Sequence, residues 1–216
     1  MNASGVDYWL DSGTLLGLTR DGALLPGDRD LDVGVWETAI PGVERVCATL
    51  SRRGYRVRTE RYQGDVFNYT LMRRWSRSRL RLDIYVFRQA RGHAWAPLIT
   101  PRDRLVQGGP VRRVADVLVR RTLHGLWARA VRAVAADRWP WSWFFRLGTW
   151  WIPADLVATT IYDDALGGRR PAALEEYLAY RYGNWRVPVT AWHFWRDDGA
   201  VRQEAPATLL GRLRAE

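Results

Sequence analysis

Three acidic residues alternate near the start of this chain. Asp28, Asp30 and Asp32 lead into Val33-Gly34-Val35-Trp36, and a Gly-Thr turn, Asp11-Ser12-Gly13-Thr14, comes shortly before them. Successive side chains of a β-strand leave opposite faces, so Asp30 and Asp32 share one face, about 7 Å apart along the chain. Leu31 and Val33 then face a core. Neighbouring carboxylates repel one another and raise each other's pKa unless a cation lies between them. A magnesium site asks for such hard oxygen ligands, with the remaining positions left to water and substrate phosphates. An Asp-x-Asp pair alone fits a solvated strand end equally well. The Gly-Thr turn adds a second feature. Gly13 permits a tight turn, and the amides after it open a helix whose positive end suits a phosphate. A phosphate-binding turn one hairpin before a metal-binding strand suits chemistry on a nucleoside diphosphate or triphosphate.

The elements that must position these groups can be read locally. Residues 12–20 predict a short helix, Asp21-Gly22 a turn, and Asp30–Trp36 a strand. Thr38 reads as an N-cap, and Val43, Val46, Cys47 and Leu50 recur at helical spacing up to a stop at Gly54. Three strand-like runs follow at 55–62, 66–72 and 80–87. The first alternates Tyr55, Val57 and Thr59 with Arg56, Arg58 and Glu60, as a strand with one wet face does. In the third, Asp83 interrupts an apolar run and by itself fits a strand-end residue facing solvent. Residues 88–96 read as a hairpin turn and a short edge strand, with His93 at the surface.

The stretch 8–36 resembles the LicD/fukutin-related family. The resemblance is carried by Trp9-Leu10-Asp11, Gly13-Thr14-Leu15-Leu16-Gly17, Arg20, Pro26, Asp28, Asp30, Asp32 and Gly34. It departs at Gly27, where the family usually has Trp, and it recurs near Asp83 and near Tyr182-Gly183. What the resemblance implies is a nucleotidyltransferase-like fold that moves a phospho-alcohol from a CDP-linked donor to a hydroxyl of a cell-surface glycan or glycolipid. The phospho-alcohol would be phosphocholine, ribitol phosphate or glycerol phosphate, and CMP would leave. Asp83 then becomes a third carboxylate contributed by a neighbouring strand. Asp30, Asp32 and Asp83 are the expected ligands of Mg²⁺ (or Mn²⁺), and Asp28 is expected to align or deprotonate the attacking hydroxyl. Gly13, Thr14 and Gly17 are expected to cradle phosphate, with Arg20 neutralising it and Asp11 fixing the turn. Two other classes stay open: nucleotide transfer to a small molecule with release of pyrophosphate, and a non-catalytic basic interaction module.

The whole chain predicts an α+β fold: a nucleotidyltransferase-like mixed β-sheet flanked by helices, with an added C-terminal helical, Trp-rich subdomain. The expected division is a catalytic core at 1–100 and a helical Trp/Arg-rich region at 101–216. The formal charge is +10, and all 33 basic residues are arginine. That balance favours anionic partners such as a nucleotide, a phosphorylated glycan or an anionic membrane surface. Nucleic acid is not expected, because no recognised module accompanies the arginines. The single cysteine, Cys47, reads as core and fits a reducing, cytoplasmic setting, with no leader or membrane span expected.

Residues 110–137 have helical periodicity with arginines 112, 113, 120, 121, 129 and 132 around it, and Trp139, Trp141, Trp143, Trp150 and Trp151 follow. That segment, 139–151, fits a hydrophobic core, peripheral contact with the inner face of a membrane, or sugar stacking at an acceptor groove. Further on, Pro171 suits the first turn of a helix with Leu174, Tyr177, Leu178 and Tyr182 on one face, closed at Gly183. Tyr182 and Trp185 read as structural first and donor-binding second. The segment after Ala191 has no readable period.

Overall fold

The computed structural model describes residues 1–73, 80–101 and 145–215. Residues 102–144, which hold the expected basic helix with Trp139, Trp141 and Trp143, lie outside the described residues. The described part is mixed α and β, with a sheet at its centre and helices around it.

A short strand β1 (Trp9–Leu10) delivers the chain into helix α1 (Ser12–Asp21). The Asp11 side chain caps that helix by accepting from the Ser12 amide at 2.6 Å. Gly22 ends it in the left-handed conformation with φ 67, which glycine adopts without steric cost. Strand β2 (Asp30–Trp36) follows and pairs antiparallel with β1. After a 3-10 turn at Glu37–Ala39 comes helix α2 (Ile40–Arg52), which places Val43 and Cys47 in the main core with Val33, Tyr69, Leu71 and Ile84. Each such fully buried aliphatic side chain contributes on the order of 2 kcal/mol. Thr38 is therefore not the cap: it sits inside the 3-10 turn, one residue short of the Ala39 cap.

Strands β3 (Tyr55–Tyr62), β4 (Asp65–Arg73), β5 (Arg81–Ala90) and β6 (His93–Pro101) are successive antiparallel neighbours. The first half of β5 is central, flanked by β4 on one side and by β2 on the other. The β2–β5 pairing is parallel and brings together two strands separated by α2 and a hairpin. This register decides the chemistry, because it sets Asp32 beside Asp83 and Asp30 beside Arg81. Across β5, Thr70 lies beside Asp83, and across β4, Arg58 lies beside Thr70. Side chains paired in register share a face, so one side of this half-sheet is polar. Its other side is the apolar core.

The second half of the sheet departs from expectation. Strand β7 (Phe145–Pro153) pairs along the whole of β6, so β6 is not an edge strand. Where a helical subdomain is expected from residue 101 onward, the sheet instead continues through residues 145–153 and on to the short β10 (Val201–Arg202). Phe145, Trp150, Trp151 and Ile152 are all buried there. A strand packed on both faces reads as a nearly continuous apolar run, and period alone does not separate it from a buried helix.

Helix α3 (Asp155–Ala158) leads to a small hairpin, β8 (Thr160–Asp163) and β9 (Gly168–Pro171). Pro171 closes that hairpin rather than opening a helix, and helix α4 (Leu174–Tyr182) begins beyond it. Tyr177 and Leu178 of α4 are fully buried. The segment without a readable period contains helices α5 (Phe194–Asp197) and α6 (Pro206–Ala215). No helix among the described residues is long and apolar enough to cross a membrane.

Candidate active site

The polar face of the β2–β5–β4 half-sheet forms the floor of a cleft of about 1250 Å³. Asp28, Asp30, Asp32 and Asp83 line it, with the start of α1 on one side and residues 182–195 forming an aromatic wall. Asp30, Asp32 and Asp83 each bring a carboxylate oxygen within 4.8 Å of the others. Two of them lie two residues apart on β2, and the third sits opposite Asp32 on β5.

Asp32 is anchored through its backbone, Asp30 and Asp83 through their carboxylates. The Asp32 amide donates to Thr14 Oγ1 at 2.8 Å, and its carbonyl accepts from the Asp11 amide at 2.9 Å. Asp83 is buried and accepts from Thr70 Oγ1 through one oxygen at 2.6 Å. Its other oxygen accepts from Arg81 Nε at 2.7 Å, while Arg81 Nη2 donates to Asp30. One guanidinium thus faces several carboxylates. Burial, then the charges of Asp30 and Asp83, pushes Asp32 well above the usual carboxylate range. Asp28 is raised from 3.8 to about 7, first by burial, then by its hydrogen bond to Asp30 and the Asp30 charge. Burial works against the Arg81 charge, but Asp83 and Asp30 outweigh it and hold the guanidinium above its ordinary pKa. Repulsion of this kind is what a bound cation relieves, and oxygen donors from two rigid neighbouring strands fit a hard divalent ion.

The four residues expected to hold phosphate have different surroundings. Ser12 and Gly13 line the cleft, and a Cβ on Gly13 would stand 2.8 Å from Asp28 Oδ2, so glycine is what lets Asp28 lean over the helix start. Thr14 is fully buried, with its hydroxyl accepting from Asp32, and thus positions a carboxylate rather than facing the cleft. Gly17 lets the return loop pass, since a Cβ there would meet the Ala23 carbonyl at 2.6 Å. Arg20 reaches the cleft rim but pairs with Asp21 at 2.8 Å, and its Nη1 points at the Trp185 carbonyl. The Cys47 thiol, pushed up to about 11 by burial and Glu44, packs in the core away from this site.

Two groups escape the sequence reading. Arg81 is one, although the Arg81-Leu82-Asp83 alternation places it on the Asp83 face. The other is a buried cluster around Asp11, at the α1 start. There Arg181 donates to Asp11 and, through Nη2, to Asp198 at 2.6 Å, while Tyr177 also donates to Asp11. The guanidinium lies over the Trp150 ring at 4.5 Å. Tyr177 and Arg181 are one helical turn apart on α4, a spacing readable locally, but Asp11 and Asp198 come from distant parts of the chain.

Residues 5–130 match the family model described as LicD/FKTN/FKRP, nucleotidyltransferase domain. The ribitol 5-phosphate transferases FKRP of Homo sapiens and Mus musculus are each 33% identical over 72 residues, which cover 31% of this chain and 14% of theirs. An uncharacterized protein of Rickettsia prowazekii (strain Madrid E) is 33% identical over 61 residues, 28% of this chain and 23% of its own. The matched stretch thus spans under a quarter of the length of these relatives. The family model, by contrast, covers more than half of the present sequence, and the chain belongs to the LicD/FKTN/FKRP nucleotidyltransferase-domain family.

Proposed function

We propose that this protein is a metal-dependent phosphotransferase that moves a phospho-alcohol from a CDP-linked donor to a hydroxyl of a glycan or glycolipid, with CMP as the leaving group. The observation that carries the reading is the meeting of Asp30, Asp32 and Asp83 oxygens within 4.8 Å on the floor of a large cleft. These three residues would hold Mg²⁺ or Mn²⁺. When bound, the ion supplies charge stabilisation for the transferred phosphoryl group and the leaving nucleotide.

The other roles fall to residues of the chain itself. Asp28 lines the cleft beside Asp30, and burial raises it above the usual carboxylate range, which suits it to accept a proton from the acceptor hydroxyl. The first turn of α1, at Gly13, lines the cleft where a diphosphate would lie, near the positive end of the helix. Thr14 and Asp11 keep Asp32 in place through its backbone. The aromatic wall, including Tyr182, Trp185 and Trp192, supplies flat surface for a base or a sugar. The cytoplasm is the compartment this reading favours, with the acceptor at the inner face of the membrane.

Product analysis tests the proposal. The protein is incubated with CDP-ribitol, CDP-choline or CDP-glycerol, Mg²⁺ and a mixture of hydroxyl-bearing glycan and glycolipid acceptors. CMP release above the rate without protein, with phosphate gained by an acceptor, is expected from one of the three. The word nucleotidyltransferase in the family's description favours a second reading, nucleotide transfer with pyrophosphate leaving. Pyrophosphate from a nucleoside triphosphate, without CMP from any CDP compound, would establish that alternative.

A further inference from the structure

We propose that Arg81 is a metal-displaced phosphate clamp: it bridges Asp30 and Asp83 while no cation is bound, and moves onto the donor's diphosphate when one is. The inference rests on the preceding reading of the carboxylates as a metal site.

The geometry sets up a competition. Asp83 has two oxygens, and both are engaged: Oδ1 by Thr70 at 2.6 Å and Oδ2 by Arg81 Nε at 2.7 Å. Thr70 is buried, so its hydroxyl stays. Arg81 is the partner that can leave, because its side chain is 48% exposed, on the cleft side of the sheet. Its Nη2 also donates to Asp30, so the same fork ties up two of the three candidate ligands. A divalent ion among these oxygens would repel the guanidinium at close range. Once freed, Arg81 would remain at the cleft floor, within reach of a diphosphate on the ion. A planar fork of N–H donors matches phosphate oxygens bidentately. Arg20 is less suited to this task, being engaged by Asp21 through both Nε and Nη2.

Calorimetry of the full chain separates this from a simple surface ion pair. Mg²⁺ is titrated into the wild type, Arg81→Gln and Asp32→Asn, and CDP is then titrated into each with and without Mg²⁺. Removing the competitor should tighten Mg²⁺ binding to Arg81→Gln by about fivefold, the scale of one partly exposed charge pair. The same variant should bind CDP about tenfold more weakly in the presence of Mg²⁺, the scale of a charged hydrogen bond to phosphate. Arg81→Lys keeps the charge but not the fork. It should fall between the two on both readouts, and it serves if the glutamine variant does not fold. Unchanged or weaker Mg²⁺ binding in both variants overturns the clamp while leaving the metal site intact, provided Asp32→Asn abolishes binding. Absence of Mg²⁺ binding to the wild type overturns the clamp together with the metal reading beneath it.

Discussion

Two charged clusters meet near the start of the helix that begins at Ser12. Both contain more carboxylates than guanidinium groups. In one, Arg181 is 2% exposed and engages Asp11 and Asp198, with Tyr177 and Trp150 against it. In the other, Arg81 is half-exposed and bridges Asp30 and Asp83 at the floor of an open cleft. The difference lies in access and saturation rather than in residue type. A sealed pair has already met its partners and can only lose them, whereas an open cluster with surplus negative charge can exchange its cation for another.

The largest effect that would sharpen this contrast is on turnover. Asp32→Asn removes one candidate ligand yet keeps both backbone anchors of the residue, to Thr14 and Asp11. Activity should fall by about 1000-fold or more, since metal charge stabilisation is worth several kcal/mol in the transition state. The melting temperature without metal should not drop, because a repelled carboxylate has been neutralised. Wild-type turnover in this variant would remove the metal assignment.

The sealed cluster should respond in the opposite sense. Arg181→Met strands Asp11 and Asp198 in the interior, and urea unfolding should show a loss of about 3–5 kcal/mol. Arg81→Gln should cost less than about 1 kcal/mol in the same experiment, since its pair is partly exposed. Equal losses for the two arginines would break the comparison.

A smaller effect should appear with pH. The folded chain holds a proton on Asp28 up to about pH 7, while the unfolded chain releases it near its ordinary 3.8. Between those values the folded state binds more protons, so this stabilisation is present at the acidic end and is lost as pH rises through about 7. The metal-free melting temperature should therefore decline from about pH 5 to about pH 7.5, and Asp28→Asn should flatten that decline. Identical profiles for the two proteins would exclude Asp28 as the group titrating near neutrality. Arg20→Ala should give the smallest change, below about 1 kcal/mol in urea, because its partner Asp21 is exposed.

Local pattern made much of the site's frame legible. Alternation defined β2 as Asp30–Trp36 and put Asp30 and Asp32 on one face, because side-chain direction in a strand depends only on position parity. Asp11 as a turn-fixing residue and the turn at Gly22 follow likewise from chemistry within a few residues. The strand at 145–153 was not legible, because a run buried over most of its length lacks an alternating period. Pro171 was misread because proline suits a strand end as well as a helix start.

Partners distant in sequence belong to the tertiary structure alone. That Asp83 stands beside Asp32, and Arg81 beside Asp30, follows from one parallel register between strands about 50 residues apart. A shift of that pairing by one residue would turn Asp83 to the opposite face. The meeting of Arg181 with Asp11 across 170 residues depends on α4 packing so that Arg181 reaches Asp11 and Asp198 together. Residue type and spacing could nominate Asp30 and Asp32 as ligands, and the family resemblance Asp83. Only packing could decide which arginine is sealed among them and which is free to move, because accessibility is a property of the assembled core and of no segment within it.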